Sequence, residues 1–259
     1  MTDDRPDPFS GDFDGAFDPS PVIDTDFSDL PEWLVPLAEA VAQFGPGDHF
    51  LGRPQLRRPA TMDGEAKPSA VLILFGEVPE HGPDVLITER SATLRSHAGQ
   101  AAFPGGRIDP LDGGSEDEGP IRAALREARE EAGVDPAGVR VFGELPELYL
   151  PPSDFLVTPV LAWWHTPSDA AVTSPDEVAA VHRVPVAALV DPANRYRLRH
   201  PSGYQGSAFV VDELLVWGFT AGVLDAVLRL GGWERPWEPA EVLDYPLDVR
   251  EFRRTRGSA

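Results

Sequence analysis

The run Arg126-Glu127-Ala128-Arg129-Glu130-Glu131-Ala132-Gly133-Val134 constrains this chain more than any other segment. At about 100° per residue, Glu127, Glu130 and Glu131 share one arc of roughly a third of a helical turn. Ile121, Ala124, Leu125, Ala128 and Ala132 gather on another arc. The segment is therefore an amphipathic helix. Pro120 suits its first turn, where no backbone N–H is needed, and Gly133 suits its end, where a left-handed residue closes the last turn, so the expected span is about 120–132. Acids at i, i+3 and i+4 project from one face and repel one another unless a cation sits among them. Carboxylates alone also fit a solvated helix face, and the surrounding sequence must decide.

Upstream lies Phe103-Pro104-Gly105-Gly106-Arg107, a glycine turn placed ahead of the helix. A Gly-Gly turn, an Arg-Glu step, a Glu pair and a closing Gly together resemble the Nudix box. The helical half matches it at every defined position, with Ala128 and Val134 in the two apolar slots. The first half departs from it. Eight residues before Arg126 stands Glu118, and six before that stands Asp112 rather than a glycine. Residues 113–119 read as part of a loop insertion, which leaves Asp112 and Asp109 as candidates for the acidic position that Glu118 would otherwise hold.

A second run, residues 86–106, resembles the coenzyme A pyrophosphatase signature of the same superfamily. Its fixed positions fall on Thr88, Arg90, Ser91, Arg95, Gly99 and Phe103 to Gly106. Weaker likeness continues in residues 157–160, 176–178 and 216–222, so that the resemblance spans roughly residues 57–230. It implies an α/β/α sandwich around a mixed β-sheet. It also implies hydrolysis of the pyrophosphate of coenzyme A or an acyl derivative, giving 3′,5′-ADP and a phosphopantetheine product. A different nucleoside diphosphate derivative, such as NADH or ADP-ribose, is the neighbouring reading. A non-catalytic module that senses a nucleotide is the reading from another class.

The chemistry can be argued from the residues themselves. A pyrophosphate linkage is anionic and repels hydroxide, so its hydrolysis calls for cations that neutralise phosphate and acidify the attacking water. Oxygen ligands with no cysteine at hand favour Mg²⁺ or Mn²⁺ over Zn²⁺. Glu127 and Glu131 lie one turn apart, about 6 Å along the axis, and are the first choice of metal ligands. Glu130 is the third ligand and the first choice of base, with Glu177 in a later loop as its rival. Arg126 orients a helix carboxylate through a bidentate pair. Arg90, Arg95 and Arg107 supply guanidinium forks for substrate phosphates. Gly105 and Gly106, like Gly99, allow positive φ and close approach of the backbone to ligand, and His97 serves as a hydrogen-bonding strut.

A formal charge of −21 argues against nucleic-acid and anionic-membrane partners, so an anionic substrate depends on local cations. No apolar run approaches the ~20 residues of a membrane span, and the amino terminus lacks a secretory pattern, which points to the cytoplasm. The oligomeric state stays open, with a homodimer among the options.

Four segments are expected: a disordered acidic tail over 1–28, a helical extension over 29–56 with a short helix at 31–43, the Nudix-like domain over 57–232, and a carboxyl-terminal extension over 233–259. The tail carries isolated Phe9, Phe13, Phe17 and Phe27 without helical or strand periodicity. Strands are expected at 71–75, 85–88, 140–149, 155–164 and 178–184. A second long helix is expected at 212–230, with Val216, Phe219, Val223, Val227 and Leu230 on its apolar side.

Overall fold

The computed structural model describes residues 23–45, 47–51, 66–94, 97–113, 118–151, 153–238 and 242–256. Most of the acidic tail and Arg95 lie outside them.

After a short helix, α1 (Val35–Val41), the chain forms a hairpin of β1 (Lys67–Val78) and β2 (Gly82–Arg90). Gly82, at φ 73°, closes its turn, and Val78 pairs with Gly82 through to Phe75 with Val85. Beyond these pairs the two strands diverge, and the following segment fills the gap. β3 (Ala101–Ala102) pairs with β2, and β4 (Gly105–Arg107) pairs with β1 at Ser69 to Val71. The Gly105-Gly106 step is thus a wedge in an opened hairpin.

Helix α2 (Gly119–Ala132) follows, capped by Gly133 in the left-handed region, as its sequence predicts. Next come β5 (Val139–Glu144), β6 (Leu148–Leu150), β7 (Phe155–Trp164) and β8 (Val178–Pro185). β7 runs parallel to β1, β5 and β6 both pair antiparallel with β7, and β8 pairs with the outer side of β2. The single strand expected at 140–149 is divided because its register shifts within residues 141–143 and Pro146, lacking an N–H, falls between the two pieces.

Side chains on β1 alternate between two cores. Leu72 and Leu74 pack with Ile121, Ala124, Leu125 and Ala128 of α2. Ile73 and Phe75 point the other way, toward Leu34, Leu37, Val223 and Val227. The mixed sheet therefore lies between helices, which is the expected α/β/α sandwich.

The remaining elements are α3 (Val186–Leu189), β9 (Arg195–Arg199), β10 (Gln205–Val211), β11 (Leu214–Val216), α4 (Gly218–Leu230), β12 (Val242–Asp244) and α5 (Val249–Arg256). β9 to β12 form a second sheet in the order β11-β10-β9-β12. This corrects the helix expected at 212–230. Residues 212 and 213 turn a hairpin, Asp212 at φ 50°, and the helix starts only at Gly218. The strand signal is hidden because β10 is covered on both faces. Phe209 and Val211 enter the large core while Ala208 and Val210 pack with Tyr196 and Leu243, so apolar and polar residues do not alternate.

Candidate active site

The wedge and helix α2 meet where the β1–β2 hairpin opens. A side chain on Gly105 would drive into the backbone of β1, its Cβ 2.7 Å from Val71 Cα. A Cβ on Gly106 would overlap the Glu127 carboxylate. Neither residue has positive φ; among the signature glycines only Gly99 does, at 67°. The expected left-handed turn at Gly105-Gly106 is thus replaced by close packing: these two glycines let the helix acids approach the sheet.

Glu131 is 4% exposed, and its Oε2 accepts a 3.3 Å hydrogen bond from the Gly105 N–H. Burial first, then the charge of Glu127, pushes its pKa up to about 8; the Gly105 hydrogen bond and the Arg90 charge oppose the rise, and Glu177 adds to it. Burial also raises Glu127, against the pull of Arg126. Glu177 bears on Glu127 as well as Glu131, because its own carbonyl accepts the Ser91 N–H at 2.8 Å and holds it beside the signature loop.

Glu130 behaves differently. Its side chain is 56% exposed and lies 3.1 Å from Arg126 Nη1. Of the three expected helix acids, the fold brings Glu127 and Glu131 together and turns Glu130 toward solvent. Among the described residues, no three His, Cys, Asp or Glu side chains surround a common point as they would around a bound metal. The pair nevertheless suits a hard cation. Its donors are all carboxylate oxygens, and the charge of Glu127 raises the proton affinity of Glu131. Glu131 also forms no salt bridge among the described residues.

Arg126 does orient carboxylates. Its Nε and Nη2 each donate to Asp112 at 3.1 Å, its Nη1 donates to Glu127 at 3.0 Å, and Nη2 also reaches the Arg107 carbonyl at 3.1 Å. Glu118 pairs with Arg122 instead. Arg90 is half-buried, and its Nε is buried with no hydrogen-bond partner among the described residues. Arg107 is exposed. His97 Nδ1 lies 2.9 Å from Gln100 Oε1, which accepts its proton in the corresponding tautomer, consistent with a strut.

Sequence reasoning does not find a cavity of about 190 Å³ on the other side of the signature loop, where Gly99 and Gln100 face Trp217 and Tyr245. Its aromatic walls belong to the second sheet and its flanks, and their wide separation in the chain carries no signal.

The model of the NUDIX domain matches residues 66–204, more than half of the chain. The chain belongs to the Nudix family. A Nudix hydrolase called NudL from Cronobacter sakazakii, itself described as uncharacterized, is 38% identical over 198 residues, covering 73% of this chain and 96% of the relative. The Salmonella paratyphi B protein of the same description is 36% identical over 192 residues, covering 71% and 94%. The solved structure of a Nudix hydrolase from Alicyclobacillus acidocaldarius is 17% identical, covers 65% of this chain and 93% of that one, and superposes with a TM-score of 0.44. Nudix hydrolases generally use divalent metal ions and act on small nucleotide substrates, and membership supports hydrolysis of the pyrophosphate bond in a nucleoside diphosphate derivative. Among the described residues of this Nudix protein, no helix is long and apolar enough to cross a membrane.

Proposed function

We propose that the protein hydrolyses the pyrophosphate bond of coenzyme A or acyl-coenzyme A, giving 3′,5′-ADP and (acyl-)4′-phosphopantetheine. The observation that carries this reading is the contact between its two sequence signatures. The Gly105-Gly106 step that ends the coenzyme A signature lies directly against Glu131 and Glu127 of the metal helix.

Glu127 and Glu131 would hold Mg²⁺ or Mn²⁺, with Glu130 close by on the same helix. The bound ion would neutralise the diphosphate and lower the pKa of the attacking water. The Gly105 N–H fixes the Glu131 carboxylate, and Arg126 fixes that of Glu127. Arg90, whose charge acts on Glu131, would bind a phosphate oxygen, and Arg107 and Arg95, the latter assigned from its position in the signature, would complete the cationic set. Two exposed acids remain candidates for the proton acceptor: Glu130, which acts electrostatically on Glu127 and is engaged by Arg126, and Glu177, which acts electrostatically on both buried acids.

The test is turnover of coenzyme A, NADH and ADP-ribose by the purified protein with Mg²⁺ or Mn²⁺, products identified by mass. Coenzyme A should lead by at least about tenfold in kcat/KM. A preference for NADH or ADP-ribose overturns the substrate assignment. No turnover of any of the three, with ligand binding intact, returns the protein to the sensor class.

A further inference from the structure

We infer that the cavity between the signature loop and the second sheet receives the pantetheine arm of the substrate, and that the wider cleft beside β8 takes an acyl chain borne on its sulfur. The inference rests on the coenzyme A reading and adds to it the place where the non-nucleotide half is held.

Two backbone contacts set this cavity next to the proposed phosphate site. The Gly99 N–H donates to the Arg90 carbonyl and the Arg90 N–H to the Gln100 carbonyl, each at 3.0 Å. Gly99 and Gln100 form one wall of the cavity, and Glu89, the residue before Arg90, lines it too. The charge of Arg90 acts on Glu131, so neighbouring residues of one strand serve the two places. Consecutive Cα atoms are about 3.8 Å apart, and the step from one place to the other is short. The opposite wall is anchored as well: Thr220 Oγ1, three residues after Trp217, donates to the Ala101 carbonyl at 3.0 Å.

The lining selects which half of the substrate enters. Trp217 and Tyr245 form an aromatic wall, their ring centroids 4.4 Å apart, and His200 lies nearly parallel to Trp217 at 5.5 Å. Leu214, Leu215 and Leu247 add aliphatic surface. Among the described residues that line the cavity, the charged side chains are the acids Glu89 and Glu213. Glu213 is paired with Arg250 at 3.1 Å and Glu89 lies 3.5 Å from His182, so neither calls for a cation. A 3′-phosphate or a diphosphate would meet carboxylates here without a positive partner on the lining. The pantetheine arm carries no charge.

The cavity continues past the aromatic wall. It shares Glu89, Glu213, Leu214, Leu247 and Val249 with a cleft of about 730 Å³ that is lined along one side by residues 181–185 of β8. β8 pairs with β2, and among the described residues no strand pairs with its other edge. A sheet edge offers a row of N–H and C=O groups. The two amides of the arm carry the same donors and acceptors as a peptide, which adds to such an edge as a further strand. Val184, Val211 and Leu214, all buried, supply apolar surface beyond for an acyl chain.

The test measures kcat and KM for coenzyme A and octanoyl-coenzyme A with Mn²⁺ in the full-length protein, and inhibition by 3′,5′-ADP, which lacks the arm. In the parent, octanoyl-coenzyme A should have a KM lower by about fivefold or more. Tyr245→Ala, at a half-buried ring, should raise KM for both substrates by about tenfold, with kcat within about threefold and the 3′,5′-ADP inhibition constant within about twofold. Equal weakening of 3′,5′-ADP would put the nucleotide half in the cavity and overturn the inference. Unchanged KM in Tyr245→Ala overturns it too, as does an octanoyl-coenzyme A KM no lower than that of coenzyme A. Should Tyr245→Ala fail to fold, Leu247→Glu decides, since it sets a charge where the cavity meets the cleft: a KM raised at least about threefold supports the inference and an unchanged KM overturns it. A parent protein that turns over NADH or ADP-ribose but neither coenzyme A nor its ester would instead sink the coenzyme A reading, and this inference with it.

Discussion

On one face of the central sheet, helix α2 contributes Ala123, Ala124, Ala128 and Ala132; on the other, Trp33, Phe75, Trp163 and Trp233 crowd together with ring centroids 5.7 to 6.2 Å apart. The α2 alanines each bury little area, although Trp164, Leu72 and Leu74 fill the same core. Their small size lets the backbone of α2 lie near enough to the sheet for glutamates to reach the Gly105-Gly106 step. The aromatic face buries large side chains and carries none of the candidate site acids. The contrast separates two demands on one sheet: proximity where chemistry is placed, and buried apolar area where stability is drawn.

The sharpest break between the faces is Glu131→Gln. It keeps the volume on the alanine face and should lower turnover on the order of a thousandfold while the melting temperature holds; turnover within tenfold of the parent would remove the alanine face from the chemistry. Next is Phe75→Ala on the opposite face. Removing this 1%-exposed ring should cost about 3–5 kcal/mol in urea unfolding, with kcat of the folded fraction within about twofold. A large kcat loss there would show that the two faces are not independent.

Ala128→Leu tests the spacing itself. Overpacking should cost about 1–3 kcal/mol, less than Phe75→Ala, yet reduce kcat more, because it lifts Glu127 and Glu131 from the wedge. The last test is a pH slope in chelator-treated protein. The folded pKa of Glu131, about 8, lies above its ordinary value of 4.5, so the unfolded chain gives up this proton first. Stability contributed by protonated Glu131 is present below about pH 4.5 and is lost as pH rises toward 8, by at most about 1.4 kcal/mol per pH unit. Glu131→Gln should flatten that part of the profile in urea melts taken from pH 5 to 8; an unchanged slope would assign it elsewhere.

Much of the alanine face is legible in the amino-acid sequence alone. Pro120, Gly133 and the apolar arc of α2 are local signals, and the unbroken run at 71–75 marks a strand covered on both sides. What the sequence hides depends on tertiary neighbours. Glu130 shares its arc with Glu127 and Glu131, and only the position of Arg126 at its flank shows that it leans outward. Gly105 and Gly106 announce a special backbone, but the reason lies in what a Cβ would strike on β1 and α2. β10 is obscured because Phe209 and Val210 are both buried, on opposite faces, and Val216 happens to continue the helical spacing of α4. Arg95 and most of the acidic tail fall outside the described residues, and their sequence-based roles stay proposals.

A carboxyl group that still holds its proton at neutral pH must surrender it when a divalent ion takes its place. Loading the site should acidify an unbuffered solution by up to about one equivalent, and the measured heat should change with the ionisation enthalpy of whichever buffer collects that proton. Below pH 8 the apparent affinity for Mg²⁺ or Mn²⁺ should climb by up to about tenfold for each pH unit, so that modest alkalinisation of the surroundings would switch on a fixed pool of protein at constant metal supply.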